Sequence, residues 1–325
     1  MTKERIFSAM QPSGNFHMGN YQVLTNWIKM QDNYDAIYSI VDWHALTSSY
    51  EDTALLQERV LNMAADWLSA GLDPEKNIIF VQSHVKESAE LHLLLSMITP
   101  LSWLERVPSY KDKLQQLGEM GKEINTYGFL GYPELQAADI ILYKANIVPV
   151  AEDQLPHIEL TREIVRRFSH LYKPVFPEPK TILSPLLPGI DGRKMSKSYG
   201  NEIPFAASLE ELKEKVRLMV TDPKRVRKTD VGDPEVCTVY TFHKIFNTGE
   251  CPEISQNCRQ AHIGCVACKN KLAEKMAETL SAVRERRLDL ASKPEKVQEI
   301  LAYGAERARK IANATMQEVR QVMNL

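Results

Sequence analysis

The sequence predicts a doubly wound parallel α/β sheet followed by a helical region, and three observations carry that reading. Short apolar runs of strand length alternate with amphipathic helical stretches through the first half. Those runs are nearly continuous in apolar residues, the pattern of strands covered on both faces. Beyond residue 208 the runs cease and helical periodicity takes over.

Residues 5–9 read as the first strand, and residues 20–30 as the helix after it, with Leu24, Trp27, Ile28 and Met30 on its buried side. Residues 36–41 form the second strand, 53–70 a long amphipathic helix stopped by Gly71, and 77–81 the third strand. Residues 87–97 are helical up to Pro100. Residues 101–132 break the alternation and read as an insertion between two βαβ halves. Residues 133–143 read as a helix with Pro133 in its first turn, where a missing N–H costs nothing. A short strand at 147–151 and a helix at 153–168 follow. After prolines 174, 177 and 179, residues 181–183 make the last strand. Ser208 and Glu211 form a capping-box pair before a helix at 209–220; residues 270–288, 293–303 and 305–322 are helical as well. The expected division is a Rossmann-like catalytic domain over residues 1–200 and a helical domain over 201–325.

A chain of 325 residues has room for two domains and a substantial core. With 40 Lys and Arg against 42 Asp and Glu, the net charge of −2 gives no global attraction to nucleic acid, although a local basic face fits within a balanced total. No apolar run approaches the roughly 20 residues of a membrane span. The first five residues lead into a strand without a signal-peptide core. A cytoplasmic enzyme is therefore expected, without a membrane partner. All five cysteines fall between Cys237 and Cys268, which in a reducing compartment reads as metal binding before disulfides.

Two motifs carry chemistry. His17-Met18-Gly19-Asn20, preceded by Gly14, lies between the first strand and its helix, where an open parallel sheet presents ligands. Gly14 permits a tight turn, Gly19 a close backbone approach, and the helix N-terminus favours phosphate. Lys194-Met195-Ser196-Lys197-Ser198 follows a loop rich in glycine and proline. Its two lysines and two hydroxyls suit a pyrophosphate separating from an α-phosphate, contacts that strengthen as charge develops. Either motif alone also fits a solvated loop. Their joint occurrence, one after the first strand and one after the last, resembles the catalytic domain of class I aminoacyl-tRNA synthetases.

Further stretches resemble the bacterial tryptophanyl-tRNA synthetases over nearly the whole chain: Gln11-Pro12-Ser13-Gly14, Val41-Asp42-Trp43-His44-Ala45-Leu46-Thr47, Tyr132-Pro133-Glu134-Leu135-Gln136-Ala137-Ala138-Asp139, Val148-Pro149-Val150-Ala151-Glu152-Asp153-Gln154 and Thr221-Asp222-Pro223. The resemblance implies ATP-dependent, Mg²⁺-assisted activation of L-tryptophan and its transfer to tRNA(Trp), in a homodimer. It places ATP at Gln11, Ser13, Gly14, His17, Gly19, Asn20, Lys194, Met195, Ser196, Lys197 and Ser198, with His17, Lys194 and Lys197 catalytic. It implies a tryptophan pocket of Phe7, His44, Tyr132, Gln136, Asp139, Val150 and Gln154. An indole needs apolar walls and one acceptor for its N–H, the role implied for Asp139; Tyr132, Gln136 and Gln154 are candidates for the ammonium group.

A subset of that family is similar in its cysteines too, with Cys-x22-Cys-x6-Cys-x2-Cys holding a [4Fe-4S] cluster near the anticodon-binding region. Here Cys258-x6-Cys265-x2-Cys268 is intact, and Cys237 precedes it by x20. Cys237, Cys258, Cys265 and Cys268 are the expected ligands, with Cys251 the competing fourth and zinc the alternative metal. Arg259, Lys269, Lys271 and Lys275 are the expected basic surroundings. Tyr132-x3-Gln136-x2-Asp139 also resembles the tyrosyl enzymes, so a tyrosine–tRNA ligase is the nearest alternative. A nucleotidylyltransferase or a non-catalytic synthetase paralogue stands further off.

Overall fold

The computed structural model describes residues 3–12, 14, 16–119, 125–184, 186–196 and 199–325. Ser13, Lys197 and Ser198, all assigned to ATP from the sequence, lie outside the described residues. Five parallel strands, β1 (Arg5–Met10), β2 (Asp35–Ile40), β3 (Ile78–Val81), β4 (Ile147–Val150) and β5 (Lys180–Leu183), form one sheet in the order β3-β2-β1-β4-β5. Strand order reverses between β1 and β4, which opens a crevice at their carboxyl ends.

Alternate strand residues face different cores, as a period of two requires. Ile6, Tyr38, Ile40, Ile79 and Val81 join one cluster, with α1 (Met18–Met30), α3 (Leu56–Ala70), α9 (Leu209–Leu218), α10 (Thr238–Phe246) and α12 (Cys265–Ala291). Phe7, Ile37, Ile78, Phe80, Val148 and Val150 join the other, with α4 (Glu87–Ser96), α7 (Tyr127–Leu142), α8 (Leu155–Leu171) and α13 (Pro294–Met323). Both faces are thus covered, which is why the strand runs lack polar alternation.

The structure corrects several expectations. The pocket helix α7 begins at Tyr127, where the Thr126 hydroxyl accepts from the Phe129 N–H at 3.2 Å, so Pro133 lies inside the helix and not in its first turn. The insertion contains α5 (Leu101–Glu105) and α6 (Pro108–Glu119). The helices α2 (Asp42–Ser49), α10 and α11 (Cys251–Arg259) were not expected, each being only eight or nine residues long. Residues 293–303 and 305–322 form the single helix α13, because Gly304 is helical and serves close packing: a Cβ there would lie 1.8 Å from the Ile79 carbonyl oxygen. The backbone of α13 therefore rests directly on β3.

Helix α12 is tied to α3 by a largely buried ion pair, with Arg287 Nε 2.6 Å from Asp66 Oδ1. Arg286 Nε donates to the Ser69 carbonyl at 2.7 Å on the same face.

Candidate active site

A cavity of about 320 Å³ opens at the carboxyl ends of β1 and β4, at the reversal of strand order. Phe7, His44, Gln136, Asp139, Val150 and Gln154 line one part of it, and Gln11, Asn20 and Lys194 another. Residues assigned from the sequence to an amino-acid site and to a nucleotide site therefore share one space. Tyr132 is the exception among the amino-acid candidates. It does not line the cavity: its hydroxyl lies 2.8 Å from Ser109 Oγ, which is also 2.8 Å from His157 Nε2. Burial raises the Tyr132 pKa, so the phenol stays protonated there.

Asp139 is buried and held by three donors from three other segments. His44 Nε2 on α2 lies 3.0 Å from Oδ2, and Gln82 Nε2 after β3 donates to the same oxygen at 2.7 Å. The Ser88 hydroxyl on α4 donates to Oδ1. A carboxylate offers about four acceptor positions, and these three donors leave Oδ1 with one to spare. The flanking Ala137, Ala138, Ile140 and Ile141 are fully buried, and the helix cannot turn to expose the carboxylate without unpacking them.

The nucleotide motifs meet beside the cavity: Asn20 and Lys194 line it, while Gly14, His17, Gly19, Met195 and Ser196 do not. His17 precedes α1, and its N–H donates to Asn20 Oδ1 at 3.1 Å, fixing the turn. Gly14 has φ +93°, a conformation that favours glycine. At Gly19, a Cβ would lie 3.0 Å from His17 Cε1 and 3.5 Å from Met195 Cβ, so the room its hydrogen leaves is taken by the two motifs themselves. The Gly19 N–H points at Met195 Sδ, 3.2 Å away, which joins the motifs across a sequence separation of 176. Lys194 Nζ lies 2.7 Å from Asp153 Oδ2. Burial works against the Asp153 carboxylate, but the hydrogen bond and charge of Lys194 outweigh it and its pKa falls.

The family model described as tRNA synthetases class I (W and Y) matches residues 2–281. The tryptophan–tRNA ligase of Thermotoga maritima is 49% identical over 327 residues, covering 99% of each chain. That of Aquifex aeolicus is 42% identical, covering 99% of this chain and all of its own. The chain belongs to the tryptophan–tRNA ligases of class I. The Campylobacter jejuni tryptophanyl-tRNA synthetase, solved in complex with ADP and tryptophan, superposes with a TM-score of 0.86 at 35% identity, covering 99% of this chain and all of that one.

Beyond its family's cavity, this synthetase gathers four of its five cysteines. Burial, then Cys237, Cys258 and Cys265, push the Cys268 thiol up to about 12. Burial raises Cys258 against the charge of Arg225, with Cys237 and Cys265 adding to the rise; burial also raises Cys237 against backbone hydrogen bonds, with Cys265 adding the smallest part. Cys251 is buried with Tyr240 and Ile254, and Cys237 and Cys268 pack against that cluster. Among the described residues, no group of three or more His, Cys, Asp or Glu stands at metal-ligand spacing. The expected basic surroundings differ from those observed. Lys271 pairs with Glu250, Lys275 with Glu278, and Arg259 lies 3.8 Å from Asp233 and 3.7 Å from Glu235. Two of the four sense the thiols: burial lowers the Lys269 pKa against Cys265 and Cys237, and Cys268 adds a small part to the rise that Glu250 causes at Lys271. Arg225 is the closer cation, with Nη1 3.6 Å from Cys258 Sγ, and with Arg227, Lys228 and His262 it lines a groove of about 640 Å³ beside Cys265.

Several side chains of these sites were not reached from the sequence. Gln82 and Ser88 have no motif and meet Asp139 only in the fold. Asp153 stood within a quoted stretch, and a carboxylate next to Gln154 was the available signal. Ser109 lies in the insertion, where no periodicity marked it.

Proposed function

We propose that this chain joins L-tryptophan to tRNA(Trp) in two steps, with the work divided across one cavity. The tryptophan carboxylate attacks the α-phosphorus of ATP, the bond to the β-phosphate breaks, and pyrophosphate leaves. A terminal ribose hydroxyl of the tRNA then attacks the acyl carbon, and AMP leaves. The observation that carries this reading is the pairing, in one cavity, of a buried acceptor carboxylate, Asp139, with a phosphate-seeking lysine, Lys194. Asp139 takes the indole N–H between Phe7, His44 and Val150, while Gln136 and Gln154 face the ammonium group. A ring without the donor leaves that carboxylate short of a partner, which costs binding energy. His17, Gln11, Asn20 and the 194–198 loop hold the triphosphate. Mg²⁺, arriving with ATP, neutralises phosphate charge; the protein positions and stabilises, and no tuned general base is required.

The tyrosine alternative rested on Tyr132, Gln136 and Asp139 acting together. Both readings used Tyr132, so its absence from the cavity lining does not separate them; membership of the tryptophan–tRNA ligases favours tryptophan. Amino-acid-dependent ATP–pyrophosphate exchange tests the choice. Tryptophan should support exchange with kcat/KM about 10³-fold or more above tyrosine, a difference of roughly 4 kcal/mol. Equal rates would end the tryptophan reading.

We also assign residues 201–325 to anticodon binding, and Cys237, Cys258, Cys265 and Cys268 to a [4Fe-4S] cluster, with zinc the alternative. The influence of Cys237, Cys258 and Cys265 on the Cys268 thiol supports that ligand set. Four thiolates suit either metal centre, which would supply a rigid link between the 225–237 loop and α12. Arg225, Arg227 and Lys228 beside it suit an RNA backbone. A homodimer of cytoplasmic location completes the reading; no described helix is long and apolar enough to cross a membrane.

A further inference from the structure

We propose that Asn201 is a positioning residue for adenylate formation: its buried amide clamps the backbone of residues 194–196 and so presents Lys194 to the cavity. The proposal rests on the role assigned above to that loop and adds the device that holds it.

Asn201 is 2% exposed, yet it directly follows a solvated stretch of chain. Oδ1 accepts from the Ser196 N–H at 2.8 Å. Nδ2 donates to the Lys194 carbonyl at 3.1 Å and to Asp191 Oδ1 at 2.8 Å. One side chain therefore grips the loop on both sides of Met195 and ties it to the preceding turn. The Asn201 carbonyl also accepts from the Ile190 N–H at 3.0 Å. The turn is shaped around this amide. A Cβ on Gly189 would lie 2.3 Å from Nδ2 and 2.9 Å from the Asn201 carbonyl oxygen, so any side chain at 189 would dislodge the clamp. Asp191 responds to it: the hydrogen bond from Asn201 is the largest influence holding that carboxyl below its usual range, with Arg193 adding to it.

The consequence is mechanical. Met195 is anchored by Gly19 and the peptides on either side by Asn201, so the backbone that carries Lys194 is fixed while its side chain stays 61% exposed and reaches Asp153 at the cavity. Ordering a free backbone carries an entropic cost, and a loop already ordered does not incur that cost in the transition state. Asparagine is suited to the task because it combines a strong acceptor with two donors and carries no charge. An aspartate there would keep the acceptor but lose both donors and face Asp191 as a like charge. Burial and that like charge would raise its pKa, so protonation within the neutral to mildly acidic range would restore one donor.

The test compares wild type, Asn201→Ala and Asn201→Asp as full-length chains. Each is measured by tryptophan-dependent ATP–pyrophosphate exchange, by equilibrium dialysis of tryptophan and by thermal melting. Asn201→Ala should lower kcat about ten-fold or more and raise the KM for ATP, with tryptophan affinity within about two-fold of wild type. Asn201→Asp should resemble the alanine variant at pH 8 and recover, relative to wild type, as pH falls toward 6. Folding is checked at each pH by melting above the assay temperature, so the aspartate profile decides the matter even if the alanine variant is unstable. Exchange by folded Asn201→Ala within two-fold of wild type would overturn the clamp, as would an Asn201→Asp ratio to wild type that stays flat with pH. A wild-type chain without tryptophan-dependent exchange would instead overturn the function assigned to the loop, and the two failures are distinct.

Discussion

Asp139 meets donors from α2, from the turn after β3 and from α4, and each limits how the carboxylate is aimed. Removing one donor while keeping the side-chain bulk should loosen that aim without emptying the cavity. Gln82→Leu is expected to lower kcat/KM for tryptophan about ten-fold, close to 1.4 kcal/mol, with the KM for ATP unchanged. Steady-state exchange with each substrate varied in turn reads the split; a change in the ATP term alone would contradict the role. Asp139 itself could be proposed from sequence because a carboxylate amid Ala137, Ala138 and Ile140 is improbable on a solvated helix face. Gln82 and Ser88 could not, since a polar residue after a strand or at a helix start has many unremarkable reasons to be there.

At the scale of elements, α3 and α12 meet through Asp66 and Arg287. Burial raises the Asp66 carboxyl to about 6, although the Arg287 hydrogen bond and charge pull it down. A folded pKa above the ordinary carboxylate value means the protonated form is favoured by folding. This group's contribution to stability is full below about pH 4 and lost as pH rises through about 6. Taking Arg287 away should therefore matter most where Asp66 must be charged. Arg287→Ala is expected to cost about 3 kcal/mol at pH 8 and clearly less at pH 4.5, as read from denaturant midpoints. A cost independent of pH would show that Asp66 is not its source. Helix α13 offers a steric counterpart. Gly304→Ala sets a Cβ 1.8 Å from a backbone oxygen of β3, and since neither backbone can yield cheaply, the variant should lose about 3 kcal/mol or more, seen as a large fall in melting temperature. From sequence alone Gly304 reads as a helix breaker, the ordinary meaning of its weak helical propensity. The tertiary contact reverses that meaning, because the absent side chain is what lets the helix touch the sheet.

For the molecule as a whole, the cysteine site and the basic groove stand far in sequence from the catalytic motifs. Iron and sulfide in equal amounts, without zinc, are expected in anaerobically purified protein. Cys237→Ser should abolish metal retention and Cys251→Ser should leave it intact; the reverse would exchange the fourth ligand. The elements of the sheet and their order were legible in the sequence, because strands covered on both faces must be apolar throughout and parallel strands must alternate with helices. The two nucleotide motifs were legible for a related reason: phosphate chemistry needs particular residues close together in the chain. What the sequence alone determined is thus whatever depends on local spacing: the α/β class, the motif turns, the cysteine run and the carboxylate on a buried helix. Tertiary structure decided the rest, where groups distant in the chain must meet. It joined Met195 to Gly19, surrounded Asp139 with donors, withdrew Tyr132 from the cavity and laid Gly304 on β3. Such meetings depend on the packing of both faces of the sheet, and no local pattern of residues encodes them.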